Sequence, residues 1–267
     1  MSHITAPQLL QKKSLRQRIC ALTCYDATFA QLIDQHTAVD FVLVGDSLGM
    51  VIKGEPTTLN VDVNEIVYHT RAVSRSTKRV HVVADMPFLS YQINDEETLK
   101  NAGLLMKAGA HSVKLEGGVT IQNRVRRLVD VGIPVMGHIG LTPQSVHALG
   151  GFRVQGKTSV EKQRLLDDAF ALQDAGAFAV VIECTPEDVA KEITEKLQIP
   201  TIGIGAGKYC DGQILVLYDF LDLNSEFRPK FVKQFFNGTA AIAGACQAYV
   251  DEVQQGTFPG PEHTYHF

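Results

Sequence analysis

The stretch Ala108-Gly109-Ala110-His111-Ser112-Val113-Lys114-Leu115-Glu116 decides the fold, because it contains a complete passage from a helix into a strand. Gly109 is the residue type that adopts the left-handed backbone conformation with which many helices end. The run Ser112–Leu115 is short and largely apolar, as in strands that are buried on both faces of a parallel sheet. The same junction recurs at Ala175-Gly176-Ala177. These junctions predict that helices and parallel strands alternate along the chain.

Short apolar runs of this kind occur eight times and predict eight parallel strands. They are Ile19–Thr23, Phe41–Val44, Val80–Ala84, Ser112–Leu115, Val135–Ile139, Ala179–Ile182, Thr201–Ile204 and Ile214–Leu217. Segments of helical character lie between them, and the clearest are Asp62–Ser76, Asn94–Ala108, Val119–Val131, Val160–Ala175 and Pro186–Leu197. About eight strand–helix repeats favour an α/β fold of the (β/α)8 TIM-barrel type over a doubly wound sheet.

The two ends of the chain complete this expectation. Residues 1–18 are basic and free of acidic residues, a composition found in transit peptides, but a short N-terminal helix before the first strand explains them better. The segment Pro229–Val253 predicts a long final helix, and Phe258–Phe267 predicts a tail. Because no linker or low-complexity tract divides the chain, we expect a single domain over residues 1–267.

The composition excludes several classes of function. The chain has 25 Lys and Arg against 29 Asp and Glu, and a net charge of −4 offers no general footprint for nucleic acid or an acidic membrane. The five cysteines form no CxxC pair, which indicates reduced thiols in a cytoplasmic protein. No apolar run approaches the roughly 20 residues that span a bilayer. We therefore expect a cytoplasmic protein that acts on small molecules.

Polar side chains follow the apolar runs where several predicted strands end. A TIM barrel gathers these carboxyl ends at one mouth, which is where its active site lies. Asp46, Asp85, Glu116 and Glu183 follow the runs, and two of the runs themselves carry Lys114 and His138. Crowded carboxylates resist joint ionisation, so Asp46, Asp85 and Glu116 are predicted to share a divalent cation. Ligation by oxygen alone favours Mg²⁺. The alternative is that each carboxylate caps a helix or pairs with a nearby cationic side chain.

The other polar residues each leave more than one interpretation open. Lys114 forms a Schiff base, holds an anionic substrate as a cation, or makes a structural ion pair with Glu116; nearby carboxylates favour the charged forms. His138 is a core histidine, or it lies where its flanking glycines allow a ligand to approach. Glu183 follows an apolar run and suits a general base, unless it is a charge at the start of a helix.

Two further features have weaker chemical interpretations. The run Gly203–Gly207 is similar to phosphate-binding loops of barrels, or it allows a substrate or a helix to pack closely. Cys184 has no neighbour in the sequence that would lower the pKa of its thiol, so it is expected to be a packing residue.

Several stretches together carry a resemblance to a known family. They are Thr23-Cys24-Tyr25-Asp26, LVGDSLGM at 43–50, ADMPF at 84–88, VKLEGG at 113–118, GHIGLTPQS at 137–145, GGF at 150–152, VQG at 154–156, IGIGAG at 202–207 and DGQ at 211–213. With them, the chain resembles the ketopantoate hydroxymethyltransferase (3-methyl-2-oxobutanoate hydroxymethyltransferase) family. The chain departs from the family pattern at Thr185 and Tyr209-Cys210. These positions flank the predicted active site and leave the matched residues unchanged.

The resemblance implies a (β/α)8 barrel enzyme of the one-carbon transferase class. Such an enzyme moves a hydroxymethyl group from 5,10-methylenetetrahydrofolate to 3-methyl-2-oxobutanoate and gives 2-dehydropantoate (ketopantoate) for pantothenate and coenzyme A biosynthesis. A Mg²⁺-stabilised enolate is the implied intermediate. The family also implies a large homo-oligomer, commonly a homodecamer.

The resemblance also implies roles for individual residues. The positions that match the magnesium site are Asp46, Asp85 and Glu116. The positions that match contacts to the oxoacid are Asp46, Ser47, Asp85 and Lys114. Glu183 matches the general base, and we expect His138 to help orient ligands without transferring a proton.

Two rival functions compete with this one. The first is another Mg²⁺-dependent oxoacid enzyme, such as a phosphoenolpyruvate mutase or isocitrate lyase relative. Lyases of that class carry a cysteine nucleophile in a strand-end loop, and no cysteine here has such a setting with a basic neighbour. The second is a metabolite-binding barrel with a decayed site, which would have lost a carboxylate or the base. All four acidic residues are present.

Overall fold

Eight parallel strands close into a barrel in chain order, with the eighth strand paired to the first. The structure is a computed structural model that describes residues 3–223 and 229–266. The strands are β1 (Ile19–Thr23), β2 (Phe41–Val44), β3 (His81–Asp85), β4 (Ser112–Glu116), β5 (Val135–Gly140), β6 (Ala179–Glu183), β7 (Thr201–Ile204) and β8 (Gly212–Leu215). All eight pairings are parallel, so the predicted (β/α)8 TIM barrel is confirmed.

Helices connect the strands, and an N-terminal helix precedes β1 as predicted. They are α1 (Ala6–Ser14), α2 (Ala27–His36), α3 (Leu48–Val51), α4 (Val63–Arg75), α5 (Asp95–Lys107), α6 (Gln122–Asp130), α7 (Ser159–Asp174), α8 (Glu187–Lys196), α9 (Leu217–Phe220) and α10 (Gly238–Gln255). Short 3-10 helices occupy Val119–Ile121, Pro143–Ser145 and Pro261–His263.

Local chemistry fixes where several helices begin and end. Asp62 accepts hydrogen bonds from the main-chain N–H groups of Asn64 and Glu65, which forms a capping box at the start of α4. Gly109 follows α5 with a φ of 107°, and Gly176 follows α7 with a φ of 93°. The left-handed helix ends that the sequence predicts are therefore confirmed.

The eighth strand was the least accurate strand prediction. It spans Gly212–Leu215 instead of Ile214–Leu217, and Leu217 begins α9. Gly212 has no side chain that would mark an apolar run. A Cβ atom there would lie 2.5 Å from the carbonyl oxygen of Ile19, so the pairing with β1 depends on glycine.

Helix α1 packs at the amino-terminal end of the barrel. The Nζ atom of Lys13 lies 2.9 Å from Oδ2 of Asp211, just before β8, and Lys12 forms an ion pair with Asp40, just before β2. Leu9 of α1 is buried and belongs to the same core cluster as residues that face inward from the strands, such as Leu43. The predicted helix thus contributes apolar packing as well as charge to this end.

The chain divides into two compact units, Met1–Val216 and Leu217–Phe267. The first contains the whole barrel, and the single domain expected over residues 1–267 stays a prediction. In the second, the final helix does not begin at Pro229, which corrects that prediction. It begins at Gly238, where the side chain of Asn237 accepts a hydrogen bond from the N–H group of Ala240. No helix within residues 3–223 and 229–266 is long and apolar enough to cross a membrane.

Candidate active site

The carboxyl ends of neighbouring strands bring the polar residues together. Strand register places Asp85 opposite Lys114 and Glu116 opposite His138. Asp46 lies two residues beyond the end of β2. These five residues are between 2% and 6% exposed. Because so little water reaches them, their charges interact more strongly than charges on a protein surface.

Lys114 occupies the centre of this cluster. Its Nζ atom lies 2.7 Å from Oδ1 of Asp85, 3.9 Å from Oε1 of Glu116 and 3.2 Å from Nδ1 of His138. Burial lowers the pKa of Lys114, but the charges of Asp85, Glu116 and Asp46 outweigh burial and raise it above its usual value. Lys114 is therefore a cation at neutral pH, which disfavours the Schiff-base interpretation.

His138 joins this cluster to Glu183, the last residue of β6. Its Nδ1 atom lies 3.4 Å from Oε1 of Glu116, and its Nε2 atom lies 3.2 Å from Oε2 of Glu183. Burial and the positive charge of Lys114 lower the pKa of His138. The carboxylates of Glu116 and Glu183 outweigh both effects, and the pKa rises to about 9. His138 is thus a member of the charged cluster and lies between Glu116, Glu183 and Lys114.

The three buried carboxylates differ in how well their charges are compensated. Burial raises the pKa of Glu116, but His138 and Lys114 outweigh burial, so the pKa lies below its usual value. Burial raises the pKa of Asp85, and Lys114 offsets part of that rise. Burial together with repulsion from Asp85 and Glu116 raises the pKa of Asp46 well above its usual value. Asp46 is therefore the carboxylate whose charge the protein compensates least.

One oxygen of each carboxylate accepts a hydrogen bond from a neutral N–H group. Oδ2 of Asp85 accepts from the main-chain N–H of Asp46 at 3.0 Å. Oδ2 of Asp46 accepts from the side chain of Gln144 at 2.8 Å, and Oε2 of Glu116 accepts from the main-chain N–H of Gln144 at 3.0 Å. Oδ1 of Asp46 accepts no hydrogen bond from the described residues.

Asp46 and Asp85 fit the donor set of a site for a hard divalent cation. They lie at adjacent strand ends, and Oδ1 of Asp85 is buried without a well-aligned hydrogen bond although Lys114 lies close by. Carboxylate oxygens are the ligands that Mg²⁺ prefers. Oε1 of Glu116 faces His138 and Lys114 instead. In the part of the chain that the structure describes, no three His, Cys, Asp or Glu side chains form a ready-made metal site.

Ser47 lies at the same mouth, with its hydroxyl beside Tyr25. The two oxygens are 2.8 Å apart, and the Tyr25 side chain is buried. A Cβ atom at Gly45 would lie 2.9 Å from Oγ of Ser47 and 3.2 Å from Oδ2 of Asp85. The absence of a side chain at Gly45 therefore leaves room for the side chains of Ser47 and Asp85 beside its main chain.

The main chain around Glu183 is held on several sides. Its carbonyl oxygen accepts hydrogen bonds from the N–H of Leu141 at 2.9 Å and from Oγ1 of Thr185 at 3.1 Å. Gly140 has a φ of 91°, and a Cβ atom there would lie 2.2 Å from the same carbonyl oxygen, so this position requires glycine. Burial and the charge of Glu183 raise the pKa of the Cys184 thiol to about 12, which agrees with a packing role.

The glycine run after β7 packs against a helix. Gly207 has a φ of 76°, and a Cβ atom there would lie 2.4 Å from Cγ of Glu187, the first residue of α8. The main-chain N–H of Lys208 donates to the Glu187 carboxylate at 3.3 Å. Because this N–H group already donates to an acidic side chain, the structure favours close packing of the glycine run against α8 over a phosphate-binding loop.

Known proteins that are similar to this chain decide its family. The family model described as "Ketopantoate hydroxymethyltransferase" matches residues 3–261. The chain belongs to this family. A protein of Clostridium botulinum named 3-methyl-2-oxobutanoate hydroxymethyltransferase is 52% identical, with 95% of this chain and 92% of the relative covered. A protein of the same name from Saccharolobus islandicus is 51% identical, with 98% of both chains covered.

Solved structures place this member of the ketopantoate hydroxymethyltransferase family in a wider fold group. A phosphoenolpyruvate phosphomutase from Streptomyces platensis subsp. rosaceus has a TM-score of 0.65 at 14% identity, with 98% of this chain and 92% of the other covered. A 2,3-dimethylmalate lyase of the PEP mutase/isocitrate lyase superfamily has a TM-score of 0.62 at 16% identity, with 97% and 90% covered. The chain shares the TIM-barrel fold of that superfamily, and such identities show the fold alone.

Sequence reasoning gave no role to three residues of this mouth, namely Gln144, Tyr91 and Tyr25. The hydroxyl of Tyr91 lies 2.9 Å from the carbonyl oxygen of Glu116 and 3.0 Å from Oε1 of Gln144. Tyr91 lies in the loop after β3, and no apolar periodicity marks a buried residue there. Gln144 had a weak signal, because it belongs to a stretch that follows β5 and carries the family resemblance.

Proposed function

We propose that this chain transfers a hydroxymethyl group from 5,10-methylenetetrahydrofolate to 3-methyl-2-oxobutanoate and forms 2-dehydropantoate (ketopantoate). This reaction leads toward pantothenate and coenzyme A. The observation that carries the proposal is the barrel mouth, where poorly compensated Asp46 lies beside Asp85 and cationic Lys114. Glu183 lies apart from this pair, beyond His138. The names of the relatives point to the same substrate.

Asp46 and Asp85 would hold Mg²⁺, with Glu116 as the third carboxylate of the proposed site. When it is bound, Mg²⁺ supplies Lewis-acid stabilisation of the negative charge that develops on the keto oxygen of the substrate. Lys114 holds the oxoacid by its charge. A hydrogen bond from Tyr25 to Ser47 would direct the Ser47 proton away from Tyr25 and toward an oxygen of the oxoacid.

Glu183 is the proposed base that removes the proton from C3 of the oxoacid. Its side chain is 16% exposed, so it is less enclosed than the Asp46 cluster and accessible to a substrate. Nε2 of His138 lies 3.2 Å from Oε2 of Glu183, and an ion pair between them would leave the other carboxylate oxygen for the proton. Water cleaves the two C–N bonds of the folate methylene group, which gives tetrahydrofolate and a formaldehyde unit. The C3 carbanion then adds to the formaldehyde carbon, and the resulting alkoxide oxygen takes the proton that Glu183 removed.

A product assay tests the proposed function. The purified chain is incubated with 3-methyl-2-oxobutanoate, 5,10-methylenetetrahydrofolate and Mg²⁺, and ketopantoate is measured by mass spectrometry. We expect product only when all three are present, and we expect a chelator to abolish it. Failure to form ketopantoate in the complete mixture would contradict the assignment.

We also propose that the chain acts as a homodecamer. Support comes from α10, which exposes the apolar side chains of Ile242, Tyr249, Val250 and Val253 and buries only Gly238 among its residues. Exposed apolar surface of this kind marks interaction sites. Light scattering should give a mass of about 290 kDa, ten times the chain mass of 29.2 kDa. A particle of 29.2 kDa would contradict this proposal.

A further inference from the structure

Gln144 links two of the three buried carboxylates at the mouth. It lies in the 3-10 helix Pro143–Ser145 after β5 and is buried. Its side-chain Nε2 atom lies 2.8 Å from Oδ2 of Asp46, which is 98 residues away in the chain. Its main-chain N–H donates to Oε2 of Glu116 at 3.0 Å. One residue therefore binds carboxylates from the ends of β2 and β4.

The orientation of the Gln144 amide follows from its neighbours. The Nε2 atom faces two acceptors, Oδ2 of Asp46 at 2.8 Å and the carbonyl oxygen of Met86 at 3.0 Å, so its two protons both have partners. Oε1 lies 3.0 Å from the hydroxyl of Tyr91 and 3.4 Å from Nε2 of Gln92, both of which donate. The reverse orientation would bring the amide oxygen against two other oxygens, so the amide donates to Asp46.

This donation distinguishes the two oxygens of Asp46. Oδ2 is held by Gln144, whereas Oδ1 accepts no hydrogen bond from the described residues. Gln144 likewise holds Oε2 of Glu116, while Oε1 faces His138 and Lys114. A neutral donor fixes each carboxylate without adding a positive charge that would compete with a cation.

We propose that Gln144 is a positioning residue that holds Asp46 with Oδ1 available to a divalent cation. The inference rests on the proposed function, because it assumes that Asp46 binds the metal. Asp85 serves as an internal comparison, since its Oδ2 atom is held by the main-chain N–H of Asp46 and not by Gln144. Loss of the Gln144 amide should therefore weaken metal binding through Asp46 and leave the main-chain hold on Asp85 intact.

The test measures metal affinity separately from turnover. Gln144→Met keeps the length of an unbranched side chain and removes the amide, and Gln144→Leu is a second variant in case the first folds poorly. The matched control is Gln92→Leu, which removes the 3.4 Å contact at the other end of the same amide, together with the side-chain oxygen that accepts from the main-chain N–H of Tyr91 at 3.3 Å. Mg²⁺ is titrated by calorimetry, Mn²⁺ binding is followed by electron paramagnetic resonance, and thermal unfolding of the metal-free protein reports folding.

We expect both Gln144 variants to weaken Mg²⁺ and Mn²⁺ binding by about tenfold to a hundredfold, as for other groups that orient metal ligands. Raising the Mg²⁺ concentration should restore most ketopantoate formation, and Gln92→Leu should bind Mg²⁺ within about twofold of wild type. A folded Gln144 variant with wild-type metal affinity would overturn the inference. If wild type then still forms ketopantoate, the proposed function stands. A wild-type protein that binds neither cation would also overturn the inference.

Discussion

Carboxylates at the two ends of the barrel are bound in opposite ways. At the amino-terminal end, Asp34 accepts hydrogen bonds at 2.9 Å from the main-chain N–H groups of Lys78, Arg79 and Val80. Burial raises the pKa of Asp34, but these donors outweigh burial and lower it. At the mouth, Asp46 has one neutral donor and two carboxylates nearby, and its pKa is raised well above the usual value.

Two other carboxylates at the amino-terminal end also have partners within the fold. Asp40 pairs with Lys12 and accepts a hydrogen bond from the main-chain N–H of Cys20 at 2.9 Å. Asp211 pairs with Lys13 at 2.9 Å. These carboxylates have cationic or N–H partners close by, whereas Asp46 has one neutral donor and two carboxylates nearby. The carboxylates at the amino-terminal end thus take part in the packing of the barrel, and the proposed site lies at the opposite end, where active sites of TIM barrels lie.

The largest effect is expected at Glu183. Glu183→Gln keeps the size of the side chain and removes the proposed base, so kcat should fall by about 10²–10⁴-fold. Stability and Mg²⁺ binding should change little, because Glu183 lies outside the Asp46 cluster. Steady-state kinetics and thermal unfolding check both statements, and a kcat within tenfold of wild type would exclude Glu183 as the base.

Asp34→Ala should lower the free energy of unfolding at pH 7 by about 2–3 kcal/mol, because three main-chain N–H groups lose their acceptor. The pKa of Asp34 is lowered in the folded state, so its contribution is present above its usual pKa of 3.8 and is lost as the pH falls below that value. Urea unfolding at pH 7 and pH 3 measures the difference. Catalysis by the folded variant should equal that of wild type, and a selective loss of kcat would break the comparison between the two ends.

Asp46→Asn should change the free energy of unfolding in the opposite direction from Asp34→Ala. Because the pKa of Asp46 is raised in the folded state, its ionisation destabilises the metal-free fold increasingly as the pH rises above 3.8. The variant should therefore be more stable than metal-free wild type at pH 7 by about 1–2 kcal/mol, and by less near pH 4. It should also lose the Mg²⁺-dependent rise in melting temperature. A metal-free variant that is less stable than wild type at pH 7 would show that the charge of Asp46 is compensated after all.

The smallest effect is expected at Tyr25. Tyr25→Phe removes the hydroxyl that lies 2.8 Å from Oγ of Ser47 and leaves the ring in place. The KM for 3-methyl-2-oxobutanoate should rise by about three- to tenfold, the cost of one misdirected hydrogen bond. The KM for the folate, measured in the same assay, serves as the control. An unchanged KM for the oxoacid would show that Tyr25 has no part in binding it.

The sequence predicted the barrel because its signals are local. Runs such as Phe41–Val44 are apolar throughout, and Gly109 and Gly176 mark helix ends by their backbone requirements alone. Strand-end position then gathered Asp46 and Asp85 at one mouth, because parallel strands all end at the same side of the barrel. The eighth strand was displaced because Gly212 has no side chain to show its pairing.

The contacts within the mouth could not be predicted, since they join residues far apart in the chain. Gln144 reaches Asp46 across 98 residues, and Tyr91 reaches Glu116 across 25. The choice of Asp85 and not Glu116 as the closest partner of Lys114 depends on strand register and side-chain rotamers. Nothing in the composition of a single strand end specifies either.

The most direct test of the proposed mouth chemistry is exchange of the C3 proton of 3-methyl-2-oxobutanoate in D₂O, followed by proton NMR with Mg²⁺ and without folate. Removing the folate isolates the proposed steps of metal binding and proton removal. Wild type and folded Asp34→Ala should exchange the proton at similar rates, whereas Glu183→Gln and Asp46→Asn should not exchange it above the background rate. Exchange at the wild-type rate in Glu183→Gln would contradict the account.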